Sequence, residues 1–440
     1  MSPWTTPRVE EEMDVRVHPT VAGADGTGTP TGTPVVDAPP SRLPSLTGLR
    51  WIAALLVFGF HAATMGIVAE PALKAVVDKT FALGLSGVEF FFVLSGFVLV
   101  WSARPGQRRR DLWRRRLAKI YPNHLVTWAA ALLVGWWFAD PLPLRATVEN
   151  LLLVQAWDPT PGHFYSVNTV SWSLSCELFF YLALPFALPV VRRMRPAALA
   201  AVVVAVPLLI VALWPAQQLV PETDRWWFTQ IFPVVRSMEF WLGVAAAELL
   251  RRGRWRGPGL AVASGIFVAT WLVAALWVRA ELWAGLMAAT YVLVIAAAAR
   301  ADVQDRPTPW RGRRMRWLGE VSFAFYLVHV LVMVTVLRLT GHRGEGLPGW
   351  WGPVAVLGFL LVNLVLAGLL HRWVETPMMR RLAPPRRRPA VEPPTAPEPA
   401  VVPESAASAA APPGAVARVP AQRSGDPDQP LTYAGRRDPV

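Results

Sequence analysis

The chain has 440 residues, 53% of them hydrophobic, and a net charge of +13 from 43 Lys and Arg against 30 Asp and Glu. An ordinary soluble domain is ~45–50% apolar, and here the apolar residues also gather into blocks of about 20, long enough to cross a bilayer as helices. The positive charge sits between those blocks, as membrane topology requires, so no nucleic-acid partner is expected; the single cysteine, Cys176, excludes an internal disulfide and a multi-cysteine metal cluster.

Residues 1–42 are polar and rich in Gly, Pro and Thr. They read as a disordered tail without the apolar core of a cleavable signal peptide. Hydropathy then predicts spans at 46–67, 83–103, 120–139, 171–191, 197–214, 229–250, 258–278, 283–300, 318–340 and 352–372. The stretch 144–156 is too short to cross and reads as an interfacial or re-entrant helix. Residues 383–440 are Pro/Ala-rich and read as a second disordered tail. The expected fold is an all-α integral membrane protein, a polytopic bundle of about ten transmembrane helices over 43–382.

Arg and Lys set the expected orientation. Clusters at 104–119, 192–195, 251–256, 311–316 and 380–381 all fall on one side of a ten-span arrangement. The positive-inside rule makes that side cytoplasmic, with both termini there.

An ionisable side chain within a span costs ~2.5–3.5 kcal/mol or more at the helix centre, so those retained are informative. Arg50 and His61 lie eleven residues apart in the first span. At about 100° per residue they return to within roughly 20° of one face, about 16 Å apart along the axis. One reading is an anion holder with a general base above it; the other is a snorkelling arginine and a histidine paired between helices. Glu89, in the second span, is expected at the depth of His61, where its carboxylate would fix the imidazole tautomer or form a structural ion pair. Glu177, in the fourth span, reads as a second orienting carboxylate or as a helix–helix hydrogen-bonding group. Arg236 and Glu239 share a face and are expected to pair. Ser322, Tyr326 and His329 form one polar stripe that reads first as structural lining. No G-x-S-x-G elbow, H-x4-D signature or Walker A loop is present, which disfavours serine-hydrolase chemistry and ATP-driven transport.

Six segments together resemble the acyltransferase 3 family of bacterial membrane O-acyltransferases. "RLPSLTGLRWIAALLVFGFHA" carries the R-x10-H pattern as Arg50 and His61. "SGVEFFFVLSGFVL" places Glu89, and "RRRLAKIYP" gives a basic start to the third span. "SWSLSCELFFYLALP", "LGEVSFAFYLVHVLV" and "WVETPMMRR" follow in order, the last with Glu375 and Pro377. The chain departs from the family at Lys119, where the R-x-x-R pattern ends in Arg. Lysine keeps the charge without the bidentate fork.

The resemblance implies an enzyme that takes an acyl group from acyl-CoA, a donor substrate rather than a bound cofactor. The acceptor it implies is a hydroxyl of a cell-surface glycan or glycosylated small molecule. Arg114, Arg115, Arg116 and Lys119 would hold the donor phosphates, Arg50 would guide its arm, and His61, with Glu89 and Glu177, would carry the catalysis. Family members often carry a soluble hydrolase-like domain. None is read here, so a separate periplasmic or extracellular enzyme would be the partner. The rival reading is a transporter or flippase of a modified glycan or metabolite.

Overall fold

The computed structural model describes residues 43–383, except 105, 141, 279–281 and 343–345. The expected tails lie outside the described residues, apart from Ala383. In chain order the helices are α1 Pro44–Thr64, α2 Pro71–Phe81, α3 Gly87–Ser102, α4 Arg109–Trp137, α5 Leu144–Leu151, α6 Pro161–Phe164, α7 Trp172–Arg193, α8 Pro196–Ala216, α9 Pro233–Arg251, α10 Leu260–Trp277, α11 Trp283–Val303, α12 Arg313–Leu339, α13 Trp351–Leu370 and α14 Thr376–Leu382. No β-strand occurs among the described residues; one isolated parallel bridge joins Val68 to Leu347.

The protein is an all-α polytopic membrane protein. Eight helical segments are long and apolar enough to cross a bilayer. The long helix α9 falls outside that set because of its charges, Arg236, Glu239 and Glu248, and α4 because its apolar part includes Pro122, Asn123 and His124. The apolar windows of α8, α10 and α13 are only 17%, 11% and 22% buried, so side chains such as Val204, Leu276 and Val365 face outward. Such a surface suits lipid, not water. Trp136, Trp137, Trp277, Trp350 and Trp351 stand exposed at the helix ends opposite the arginine clusters, as an interfacial belt does.

Two corrections concern helix boundaries. The basic run expected as a loop over 104–119 is helical from Arg109 onward. Arg, Leu and Ala are strong helix formers, and the helix continues beyond the apolar slab. The sixth span starts at Pro233, after a π-helical turn over Trp227–Ile231. Proline suits a first helical position, where its missing N–H is not needed.

Seams of glycine hold the bundle together, and two of them run beside the candidate site residues. A Cβ at Gly96 of α3 would collide with the Phe240 carbonyl of α9, and one at Gly243 would collide with the Val93 carbonyl. Gly48 of α1 sits against the Trp310 carbonyl, and Gly319 of α12 against that of Thr47. Only glycine lets backbones approach so closely, and close approach is what drives helix association in lipid. Both pairs run parallel, α1 beside α12 and α3 beside α9.

Candidate active site

The α1–α12 seam brings together two histidines distant in sequence. His61 Nδ1 lies 3.2 Å from His329 Nε2, and the two rings meet edge to face with centroids 5.0 Å apart. His329 is almost fully buried and stacks on Phe325 within the same helix. The sequence shows His329 in the stripe with Ser322 and Tyr326 but gives no sign that it meets His61.

Of the two readings of Glu89, the structure shows the structural ion pair. The α3–α9 seam turns it toward Arg236, whose Nη2 is 3.8 Å from Glu89 Oε1, while Arg236 Nη1 is 3.1 Å from Glu239 Oε1. All three side chains are nearly inaccessible. A buried guanidinium without carboxylates beside it would be severely destabilising, and Glu89 meets that demand instead of orienting His61.

Of the two readings of Glu177, the structure shows a hydrogen-bonding group between helices. Its carboxylate accepts hydrogen bonds from Ser95 Oγ at 3.0 Å and Tyr181 hydroxyl at 2.9 Å. It lines a cavity of about 130 Å³ with Arg50, Arg116, Lys119, Ser173 and Tyr326. His61 is not part of that lining. The two are linked by Tyr326, whose ring centroid is 5.8 Å from that of His329 and whose hydroxyl meets Ser173 Oγ at 2.8 Å and the Val170 carbonyl at 2.9 Å.

The four α4 residues expected to hold the donor phosphates separate. Arg116 enters the cavity, with its guanidinium 5.7 Å from the Tyr181 ring centroid. Arg115 and Arg116 line a second, adjoining cavity with Gln107 and Leu112. A third, of about 230 Å³, shares Gln107 and Leu112 and adds Arg104, Arg108, Arg109 and Arg192. Arg114 turns away, its Nε donating to the Leu382 carbonyl at 2.6 Å. Lys119 reaches the first cavity but is ion-paired to Glu375. That carboxylate also accepts from Asn123 Nδ2 at 2.7 Å and lies 3.2 Å from His371 Nδ1. Lys119 is thus largely committed to holding α4 against the end of the fold.

At the opposite end of the bundle, outside the spans, Glu149, Asp158 and His163 bring possible ligand atoms within 4.8 Å of one another. Arg145 already bridges the two carboxylates, at 2.7 Å to Glu149 and 2.8 Å to Asp158, and supplies the charge a cation would bring. Burial alone would raise the Glu149 carboxyl, but hydrogen bonds from His163 and Arg145 outweigh it and hold the group below the usual carboxylate range. Asp158 is likewise depressed: burial opposes, while the Thr160 hydrogen bonds and the charges of His163 and Arg145 prevail.

The family profile described as an acyltransferase domain, that of acyltransferase 3, matches residues 43–372. Acyltransferase MdmB of Streptomyces mycarofaciens is 41% identical over 376 residues, 81% of this chain and 95% of that protein. The exopolysaccharide production protein ExoZ of Rhizobium meliloti (strain 1021) is 28% identical over 313 residues, 68% of this chain and 91% of that protein. Peptidoglycan O-acetyltransferase OatA of Listeria monocytogenes is 23% identical over 385 residues, 77% of this chain but 56% of that longer protein. No solved structure gives a significant match. The chain belongs to the acyltransferase 3 family, and it is a membrane-embedded acyltransferase.

Proposed function

We propose that the protein transfers acetyl or another short acyl group from acyl-CoA to a hydroxyl of a cell-surface glycan or glycosylated small molecule, with the donor entering from the cytoplasmic side. The observation that carries this reading is the run of three adjoining cavities. They pass from Arg104, Arg108, Arg109 and Arg192 through Arg115 to Arg116 and Arg50 inside the bundle. Guanidinium groups recognise phosphates by short, charge-assisted hydrogen bonds, and a CoA thioester carries its phosphates at one end and its acyl group at the other. The innermost volume, about 130 Å³, equals roughly four waters of liquid, which favours a short acyl group.

His61 acts as general base in this reading. It takes the proton from the acceptor hydroxyl as that oxygen attacks the thioester carbonyl carbon. The C–O bond forms, the C–S bond breaks, and the proton passes to the departing CoA sulfur. A positioned imidazole contributes ~10²–10⁴-fold to such a step. Relatives named for exopolysaccharide production and peptidoglycan O-acetylation favour a carbohydrate acceptor.

The test is to incubate purified protein with radiolabelled acetyl-CoA and carbohydrate acceptors and follow the label by mass spectrometry. Labelled ester from the wild type and none from folded His61→Ala is the expected result. Transfer at the wild-type rate by His61→Ala would remove the imidazole from the chemistry. Unmodified acceptor crossing proteoliposome membranes without any ester formed would favour the transporter reading instead.

A further inference from the structure

The hydrogen bonds around the histidine pair determine which nitrogen of His61 is basic. His61 Nδ1 is 2.9 Å from the Val57 carbonyl oxygen, and His329 Nδ1 is 2.7 Å from that of Tyr326. A carbonyl oxygen only accepts, so each Nδ1 must carry hydrogen. With its proton on Nδ1, neutral His329 has a lone pair on Nε2. That lone pair faces His61 Nδ1 at 3.2 Å. The arrangement is a directed relay: His61 Nδ1–H donates to Val57 O and His329 Nε2, and His329 Nδ1–H donates to Tyr326 O.

We propose that His329 is the positioning residue for His61, holding its proton on Nδ1 so that Nε2 is the nitrogen that takes the acceptor's proton. This rests on the general-base reading above. A second imidazole thus takes the place usually filled by a carboxylate. Glu89 is bound to Arg236, and Glu177 to Ser95 and Tyr181. Among the described residues no hydrogen bond is formed by His61 Nε2, and the residue as a whole is half-buried. His329 suits the task because it cannot turn: it is 1% exposed and lies parallel to Phe325, 2° between planes. When His61 becomes imidazolium, its Nδ1–H remains donated to a lone pair and a carbonyl. The new charge is stabilised without a buried carboxylate that would need its own counter-ion.

The test uses two substitutions in the full-length protein, in detergent or nanodiscs. His329→Gln keeps an acceptor where Nε2 stood, whereas His329→Leu removes it. Nitrogen-15 NMR of histidine-labelled protein, with His61 assigned by comparison with His61→Ala, reads the tautomer directly. We expect the Nδ1–H form in wild type and His329→Gln, and a mixture with the Nε2–H form in His329→Leu. The turnover number should fall about 10²-fold or more in His329→Leu, with KM for both substrates nearly unchanged, and stay within about tenfold of wild type in His329→Gln. An Nε2–H tautomer in the wild type overturns the proposal, as does wild-type turnover by His329→Leu. If His329→Leu does not fold, the wild-type and His329→Gln spectra decide alone. An active His61→Ala protein would instead refute the general-base reading on which this rests.

Discussion

Lys119 of α4 and Glu375, in the π-helical turn after α13, form an ion pair across 256 residues of sequence. The Glu375 side chain is 3% exposed and the Lys119 side chain 26%. Asn123 and His371 complete the carboxylate's surroundings. The departure from arginine at position 119 fits this arrangement. A single ammonium is enough for a carboxylate oxygen when an amide already holds the other.

Removing one partner of a pair this buried leaves an uncompensated charge, at a cost of ~3–5 kcal/mol. Lys119→Ala, which strands the buried carboxylate, should therefore lower the thermal midpoint of the detergent-solubilised protein clearly, and Glu375→Ala somewhat less, since the Lys119 side chain it strands keeps access to water. The exchange Lys119→Glu with Glu375→Lys should recover part of the loss. Thermal unfolding followed by tryptophan fluorescence reads all three. Additive losses in the exchanged protein would show that the two side chains are not coupled.

The outermost arginine cavity makes a prediction about the donor. If Arg108 and Arg109 hold the 3′-phosphate of CoA, acyl-CoA should have a lower KM than acyl-dephospho-CoA. One charge-assisted hydrogen bond is worth ~1.5–3 kcal/mol, or about tenfold or more in KM. The Arg108→Ala, Arg109→Ala double variant should use the two donors equally well. Indistinguishable KM values in the wild type would leave these arginines as topology determinants alone.

The cluster of Arg145, Glu149, Asp158 and His163 predicts a response to acid. The folded carboxylates titrate below their unfolded values of about 4. The stability they contribute is therefore present above those values and lost only as pH falls through the lower, folded ones. Residues 144–164 should keep their hydrogen-exchange protection, corrected for intrinsic rates, at pH 5 and lose it below about pH 4. Arg145→Ala should move that loss to higher pH. Protection that vanishes above pH 5 in the wild type would mean the network does not hold the segment.

Hydropathy and charge showed where the spans lie, because a bilayer-length apolar block has few alternatives. The pairing of Arg236 with Glu239 was legible for a related reason: residues three apart on a helix share a face. What was not legible is how helices distant in sequence meet. Glu89 shares a depth with His61 by counting, yet depth does not fix azimuth. Azimuth is set by Gly96 against Phe240 and by Gly319 against Thr47, and a glycine in an apolar block does not announce its partner. The α4 boundary was missed because a run of arginines resembles a loop when charge is weighed ahead of helix propensity. His329 carried a signal in its stripe with Ser322 and Tyr326, but that signal pointed to lining and not to a second imidazole.

The glycine seams also limit how the protein can work over a catalytic cycle. Where carbonyls of one helix rest directly on the glycines of its neighbour, neither helix can slide or rotate without steric conflict. The seams carry His61 on α1, His329 on α12, and Glu89 and Arg236 across α3 and α9, so these groups behave as fixed furniture around which ligands must arrive and depart. Traffic then depends on rotamer changes of bordering side chains such as Phe91 and Tyr326, and on the outward-facing α8, α10 and α13. Sliding α1 along α12, or α3 along α9, would have to break a seam; a stationary centre supplied from two faces leaves both closed.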